Sequence, residues 1–557
     1  MFVRAKKSGH YEYLQVVRSV RVGPQVRQEV VATLGRLDVL QKTGELDALL
    51  SSCSRFAGRV AVLDAVRAGR LAPAEALRTG PPLVFERLWH EAGLPDILRG
   101  LLAGRRYEFP VERAVFLTVL HRLFDPGSDR AAEVWRDGYA LDGMEGMGLH
   151  HLYRAMAWLG EELPAPEQAQ RTPFAPRTTK DLIEEALFAR RRDLFSTLDL
   201  VFFDTTSIYF EGEGGETLGE FGYRRDHEPD RKQMVVGAVL DGEGHPVSCE
   251  LWPGNTTDVT TLLPVVDRLR GRFGIRSMCI VADRGMVSEE TIRALRAEGR
   301  DVRFILGMRL RKCKEVRDEV LSRAGRYQEV RGPREHSKDP APLKVKEVWV
   351  GDRRYVVCLN EEEARKDARD REAIVASLRE RLTHGEKSLV GNRGYRRFLK
   401  TTGGHRFAID EAAIEAEART DGKWVLRTDT DLGAAEVALK YKELWRVEAL
   451  FRSIKSILAT RPVYHKCDET IRGHVFCSFL ALVLLRSLTE KLEARGWSVE
   501  WERLKRDLDD LQRFVIQTRD QRFLLRTAPK GDAGKALQAV GVALGPALRL
   551  CEGQHRE

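Results

Sequence analysis

Three acidic residues stand in three different local settings. Asp204 closes the run Leu200-Val201-Phe202-Phe203, Asp283 closes Met278-Cys279-Ile280-Val281-Ala282, and Glu448 sits inside the helical stretch Tyr441 to Leu458. Two carboxylates at the ends of buried strands and a third on a helix can build an oxygen-only cage for Mg²⁺ or Mn²⁺. The chain carries a formal net charge of +9 with pI near 9.1. On such a chain the cage points to phosphodiester chemistry on nucleic acid.

The elements that must position these acids follow from local pattern. Residues 200–204, 234–240 and 246–251 read as three consecutive strands, 260–273 as a helix, 277–283 as a strand, 289–298 as a helix and 302–306 as a strand. That order predicts an α/β fold, a mixed five-stranded sheet with helices on its faces. Asp204 and Asp283 then both end their strands, and parallel pairing would bring them to one sheet edge.

The third acid depends on helix phase. Val447, Leu450, Phe451, Ile454 and Leu458 follow the spacing of a buried stripe, with Glu448 at its border. Tyr441, Glu448 and Lys455 are seven apart, which on one continuous helix returns them to nearly the same face about 10 Å from each other. Arg452 and Lys455 then reach toward phosphates on that side. The plainer reading of Glu448 and Arg452 is an exposed i,i+4 pair worth a few tenths of a kcal/mol. The two upstream strand-terminal aspartates favour the metal site.

Elsewhere the chain is less specific. Its 557 residues imply about three or four domains. Residues 1 to 40 alternate around Gly23-Pro24 as a small basic hairpin, 42–195 are helical in period, 308–432 are basic and partly β-patterned, and helical pattern resumes near Gly433. Eight scattered cysteines without a C-x-x-C pair read as reduced thiols. The N-terminus lacks the apolar stretch of a signal peptide, and the apolar run Phe476 to Leu485 is about half a membrane span. These features predict a soluble intracellular protein.

Five ordered motifs carry a resemblance. Asp204-Thr205-Thr206-Ser207, the segment Gly222 to Gln233, Gly254-Asn255-Thr256-Thr257-Asp258, Ala282-Asp283-Arg284-Gly285, and Trp445 to Lys455 with Arg461-Pro462-Val463-Tyr464-His465 together resemble a bacterial insertion-sequence transposase of the DDE type. The similar branch carries a Tyr-Arg-Glu-Lys motif and a β-rich insertion before the glutamate. Tyr441, Glu448 and Lys455 match that motif. Its arginine position is Leu444 here, with Arg446 two residues on.

The resemblance implies an RNase H-like catalytic domain in which Asp204, Asp283 and Glu448 hold two Mg²⁺ (or Mn²⁺) ions for in-line attack on phosphate by water and then by a DNA 3′-hydroxyl. It implies double-stranded DNA as partner (element ends and target), a homodimer on paired ends, no membrane, and a cytoplasmic, nucleoid-associated bacterial protein. The division implied is 1–78, a basic hairpin and helical DNA-binding region; 79–195, helical; 196–307, the first part of the catalytic domain; 308–432, the β-rich basic insertion; 433–465, the helix carrying Glu448; and 466–557, a helical region offering a dimer surface. DNA contacts are expected from Tyr441, Arg446, Arg452, Lys455 and Arg284, with Trp424 and Trp349 of the insertion as candidates for holding a flipped base. Trp424 reads more readily as a core aromatic, and Asp258 as a helix N-cap before an accessory acid. Asp226, His227 and Asp230 are loop residues or backbone contacts. The clusters Arg309 to Lys314 and Arg393 to Arg397 are solvated surface or phosphate contacts. His150, His151 and His474 show no metal spacing. An RNase H-like nuclease without strand transfer, or a silent DNA-binding derivative, would share most of these features.

Overall fold

The computed structural model describes residues 1–22, 25–46, 48–49, 72–169, 171, 175–191, 200–222, 231–275, 278–297, 302–332, 340–384, 397–402, 406–458, 460–517 and 522–551. The chain divides into two compact units, one of 1–77 with 512–528 and 545–557, the other of 78–511 with 529–544.

The smaller unit is β-rich. Phe2–Ser8, Tyr11–Val22 and Gln25–Arg36 form an antiparallel sheet, so the expected hairpin gains a strand. Gly9 at φ 64 turns the chain between the first two. Gly23-Pro24 lies outside the described residues, bracketed by the pair Val22↔Gln25. A second sheet sets Leu548–Cys551, Arg522–Arg526, Gln512–Gln517 and Ala72–Arg78 side by side. Both stretches were expected to be helical. These strands have seven residues or fewer, too few for periodicity to separate strand from helix.

The larger unit is built on a nine-stranded mixed sheet: β1 Leu200–Tyr209, β2 Gln233–Asp241, β3 Pro246–Pro253, β4 Met278–Ala282, β5 Val302–Gly307, β6 Gln328–Arg331, β7 Leu343–Val350, β8 Arg353–Leu359 and β9 Lys423–Thr428. Its order is β6-β7-β8-β9-β5-β4-β1-β2-β3. β4 is parallel to β1 and β5, and the other neighbours are antiparallel. The five strands read from 198–307 are contiguous in it, but they are not the whole sheet. Strands of the 308–432 segment continue it from β5, where β9 covers an edge that would otherwise expose unpaired backbone groups.

Seven helices matter for the site: α1 Thr179–Arg191, α2 Asp258–Phe273, α3 Glu361–His384, α4 Glu411–Ala418, α5 Ala434–Lys442, α6 Trp445–Arg452 and α7 Asp468–Glu493. Strand side chains alternate between faces. Val201 and Phe203 enter the core beneath α2 with Val265 and Leu269. Phe202 enters the opposite core, with Val437 of α5, Val447 of α6 and Leu480 of α7. By length and composition α7 could cross a membrane, and 78% of its apolar window is buried inside the protein. It crosses the helix Leu149–Gly160 through two glycines. A Cβ on Gly160 would lie 2.0 Å from the Glu469 carbonyl oxygen, and one on Gly473 2.0 Å from that of Met156.

A buried ionic lattice fastens α1 to α2 and β3. Arg272 donates from Nη2 to Glu184 at 2.6 Å, Arg268 from Nη2 to Asp181 at 3.0 Å, and Lys180 from Nζ to Asp181 at 3.0 Å and to the Cys249 carbonyl at 2.7 Å. Burial alone raises the Asp181 carboxyl, but Lys180, Arg272 and Arg268 outweigh it and hold that group well below the usual carboxylate range. Removing one partner strands a charge without solvent. Arg272→Met is therefore expected to destabilise the protein by about 3–5 kcal/mol in chemical denaturation; a cost typical of exposed pairs, under about 1 kcal/mol, would show that the lattice is dispensable.

His121, on the helix Val111–Phe124, is 2% exposed. Burial, and then Arg122, push its pKa down to about 4. The native state keeps it neutral while the unfolded chain protonates near 6.5, so the stability it contributes is full above about 6.5 and is lost as pH falls toward 4. Denaturation against pH should show this decline, by up to about 1.4 kcal/mol per unit, and His121→Gln should flatten it.

Candidate active site

The parallel pairing of β1 with β4 runs from Leu200↔Cys279 to Phe203↔Ala282. The next positions of that register are Asp204 and Asp283, on strands about 4.8 Å apart. Asp283 follows the last residue of β4 and opens the turn Arg284–Met286. Asp204 does not end its strand: β1 continues to Tyr209, because Thr205 to Tyr209 still pair with β2. It is the parallel partner that stops there. Asp204 lies two residues beyond Phe202 and Asp283 two beyond Val281, both in the core on the α5–α6 side, so both aspartates belong to that face.

Tyr441 on α5 completes this part of the site. Its hydroxyl donates to Asp283 Oδ1 at 2.9 Å. Burial, then the Asp283 charge, push its phenol well above the ordinary range, so it stays a neutral donor. A Cβ on Gly307 would lie 2.4 Å from the Tyr441 hydroxyl, so the absence of a side chain there leaves room for this bond.

The continuous helix expected over 441–458 is broken. α5 ends at Lys442, and Leu444, Arg446 and Val447 bond back three residues in a tight turn: Leu444 N–H to Tyr441 O at 3.1 Å, Arg446 to Glu443 at 2.9 Å and Val447 to Leu444 at 3.0 Å. Beyond α6, Ser453–Ile457 widens into a π turn. Overwinding and underwinding both shift phase, so seven-residue spacing no longer fixes Tyr441, Glu448 and Lys455 on one face. Tyr441 serves Asp283. Glu448 is an exposed residue of α6, whose buried stripe is Val447, Leu450 and Phe451. Leu444 is buried at the turn, a core position that an arginine would not suit.

The remaining predicted residues are distributed as follows. Arg446 donates to the Gly242 carbonyl at 2.9 Å and lies 3.8 Å from Glu443. Gly242 follows Asp241, which pairs with Val201, so this arginine is engaged near the start of β1, away from the aspartates. Arg452 is exposed and Lys455 half-buried in the π turn. Arg284 is exposed beside Asp283. Trp424 is half-buried against the main core with the Lys442 ammonium 5.2 Å above its ring, and Trp349 is exposed on β7, bonded to Glu347 at 2.7 Å. Asp258 is the first residue of α2 and Thr257 its N-cap, which corrects the capping role. Its Oδ1 instead accepts from the Thr205 hydroxyl at 2.8 Å, on the sheet face opposite Asp204. Asp226, His227 and Asp230 lie outside the described residues.

Sequence reasoning missed two features. Arg309 donates to the carbonyls of Arg284 and Gly285 at 2.9 and 2.8 Å, bracing the turn after Asp283; its place in a basic cluster was the only signal. A cleft of about 1110 Å³ opens beside Asp283, lined also by Arg284, Arg311, Arg371, Arg397 and Glu417. The histidine read as isolated, His474, has neighbours: His465 Nε2 is 3.0 Å from its Nδ1, and Asp129 completes a group. Arg122 Nη2 lies 2.9 Å from the same Nδ1, so a guanidinium already fills the place a cation would take. Among the described residues the other compact group of metal-type ligands is Glu243, His245 and Glu490; the three predicted acids are not drawn into one. Their donor set is nevertheless all oxygen, with two carboxylates adjacent in register, which suits a hard divalent cation.

A mixed sheet with two aspartates where the pairing of its parallel strands stops belongs to a class whose family is recognisable in sequence. Residues 196–484, over half the chain, match the transposase DDE domain, and the chain belongs to the DDE transposases. Residues 2–66 match the N-terminal domain of IS1634 family transposases, which places it among the insertion-sequence enzymes. No curated protein matches it. Among solved structures it is similar to a piggyBac transposase in a synaptic complex with hairpin DNA, at 10% identity and TM-score 0.36, over 77% of this chain and 79% of that one.

Tyr441→Phe should cost about 1 kcal/mol through the lost bond to Asp283, measured by chemical denaturation. Gly307→Ala, which displaces the phenol, should cost more in the wild-type background than in Tyr441→Phe. Equal costs would show that the phenol is not what the missing Cβ accommodates.

Proposed function

We propose that this transposase binds the inverted-repeat ends of its own element, hydrolyses a phosphodiester bond there and joins the freed 3′-hydroxyl to target DNA, with Asp204, Asp283 and Glu448 as the metal-binding carboxylates of an RNase H-like domain. The observation that carries the reading is the register that makes Asp204 and Asp283 neighbours on the face packed by α5 and α6, within the segment matching the DDE domain. The strand order supports it, with three antiparallel strands followed by two parallel ones reached through helices.

In this reading Asp204 and Asp283 would hold divalent cations from the sheet, and Glu448 would complete the donor set from α6. The chemistry that bound Mg²⁺ supplies at such carboxylates is charge stabilisation on the attacked phosphate and acidification of the attacking water. Tyr441 fixes the rotamer of Asp283 and keeps one of its oxygens hydrogen-bonded. Arg309 holds the turn that aims Arg284, whose exposed guanidinium is placed for a phosphate oxygen. Asp258 and Thr205 lock the β1–α2 junction behind the pair. Residues 1–195 recognise element ends, 466–557 supply the dimer surface, and the protein works in the cytoplasm at the nucleoid.

Asp204→Asn, Asp283→Asn and Glu448→Gln are each expected to reduce Mg²⁺-dependent end cleavage by at least about 10³-fold while DNA binding, measured with EDTA present, persists. Wild-type rates in any of the three would remove that residue from the site. Joined products with a target plasmid distinguish a transposase from a nuclease, which releases fragments only.

A further inference from the structure

The cleft beside Asp283 is rich in arginine, and its cations are not equally committed. Arg371 is tied to Asp421, with both side chains nearly buried, and Asp367 accepts from the Gly422 backbone at 2.9 Å. These contacts fasten α3 to the turn that starts β9. Glu417 of α4 differs. It accepts from Arg311 Nε at 3.1 Å, from the Nη2 of the same residue, and from Arg397 Nη1 at 3.2 Å. Arg311 is 65% exposed and Arg397 39%, against 17% for Glu417.

One carboxylate therefore takes both prongs of one guanidinium fork and part of a second. A phosphodiester offers the same two anionic oxygens in the same geometry. Because the Arg311 end of the pairs is open to solvent, which screens them, one anion can exchange for another there. Two cations facing one anion leave a positive excess that attracts a polyanion.

We propose that Glu417 occupies, in the DNA-free protein, the place a DNA phosphate takes on Arg311 and Arg397, so that a strand enters the cleft only by displacing it. The inference rests on the DNA reading above and adds to it a built-in competitor. Phosphate binding is weakened for DNA that engages the cleft alone, and the competitor is readily displaced by DNA already held by the end-recognising region.

The test measures binding of a fluorescent duplex of arbitrary sequence to the full chain over a range of salt, without divalent ions. Glu417→Gln should bind several-fold more tightly than wild type, with a log–log salt slope steeper by about 0.9 for each further phosphate neutralised. Glu411→Gln makes the same charge change on the same helix outside the cleft, where Glu411 pairs with Arg379 at 3.2 Å, and should match wild type. Binding by Glu417→Gln equal to either wild type or Glu411→Gln overturns the proposal. Wild-type affinity with no salt dependence would instead defeat the DNA reading. Should Glu417→Gln fail to fold, Arg311→Gln and Arg397→Gln carry the test: each must weaken binding and flatten the slope, and retained affinity in either overturns the proposal.

Discussion

The parallel pairing of β1 and β4 is the constraint on which the catalytic reading depends. Parallel strands need a crossover, and here α2 supplies it after the β1-β2-β3 meander. Once Leu200 is opposite Cys279, every later position is fixed, and two aspartates far apart in sequence become neighbours. A slip of one residue would turn one of them to the opposite face. Register is protected by burial on both sides, since Phe202 and Phe203 are each fully enclosed in different cores. The precision of the site is thus a packing property before it is an electrostatic one.

The same sheet explains why α1 is tied down with ions instead of apolar contacts alone. Lys180, Asp181, Glu184, Arg268, Arg272 and Glu250 are all buried, and an ionic lattice of this kind tolerates few alternative arrangements. It ties α1 to α2, the helix whose first residue braces β1 from behind through Thr205.

Much of this was legible in the sequence. The five strands from 200 to 307 announced themselves by short apolar runs between turn residues, and the two aspartates by ending such runs. What remained hidden was set by distant partners. Lys442-Glu443-Leu444 contains only residues favourable to helix, and the tight turn there goes with the burial of Leu444 and the reach of Tyr441 to Asp283. Likewise the β pattern within 308–432 does not state whose edge its strands join, so the continuity of that segment with the sheet bearing Asp204 and Asp283 was invisible. Arg446 was read as a DNA contact and Arg309 as solvated surface or a phosphate contact, because composition cannot tell a free cation from one committed to a backbone carbonyl.

The strand Ala72–Arg78 lies beside Gln512–Gln517, with the entire DDE domain as the intervening loop. During synthesis the earlier strand has no partner until the ribosome has passed the later one. The nine-stranded sheet can close before the later strands of the smaller unit's second sheet are made. The topology therefore sets an order of assembly: a product that stops before residue 512 can carry Asp204, Asp283 and Glu448 and still lack three of that sheet's four strands.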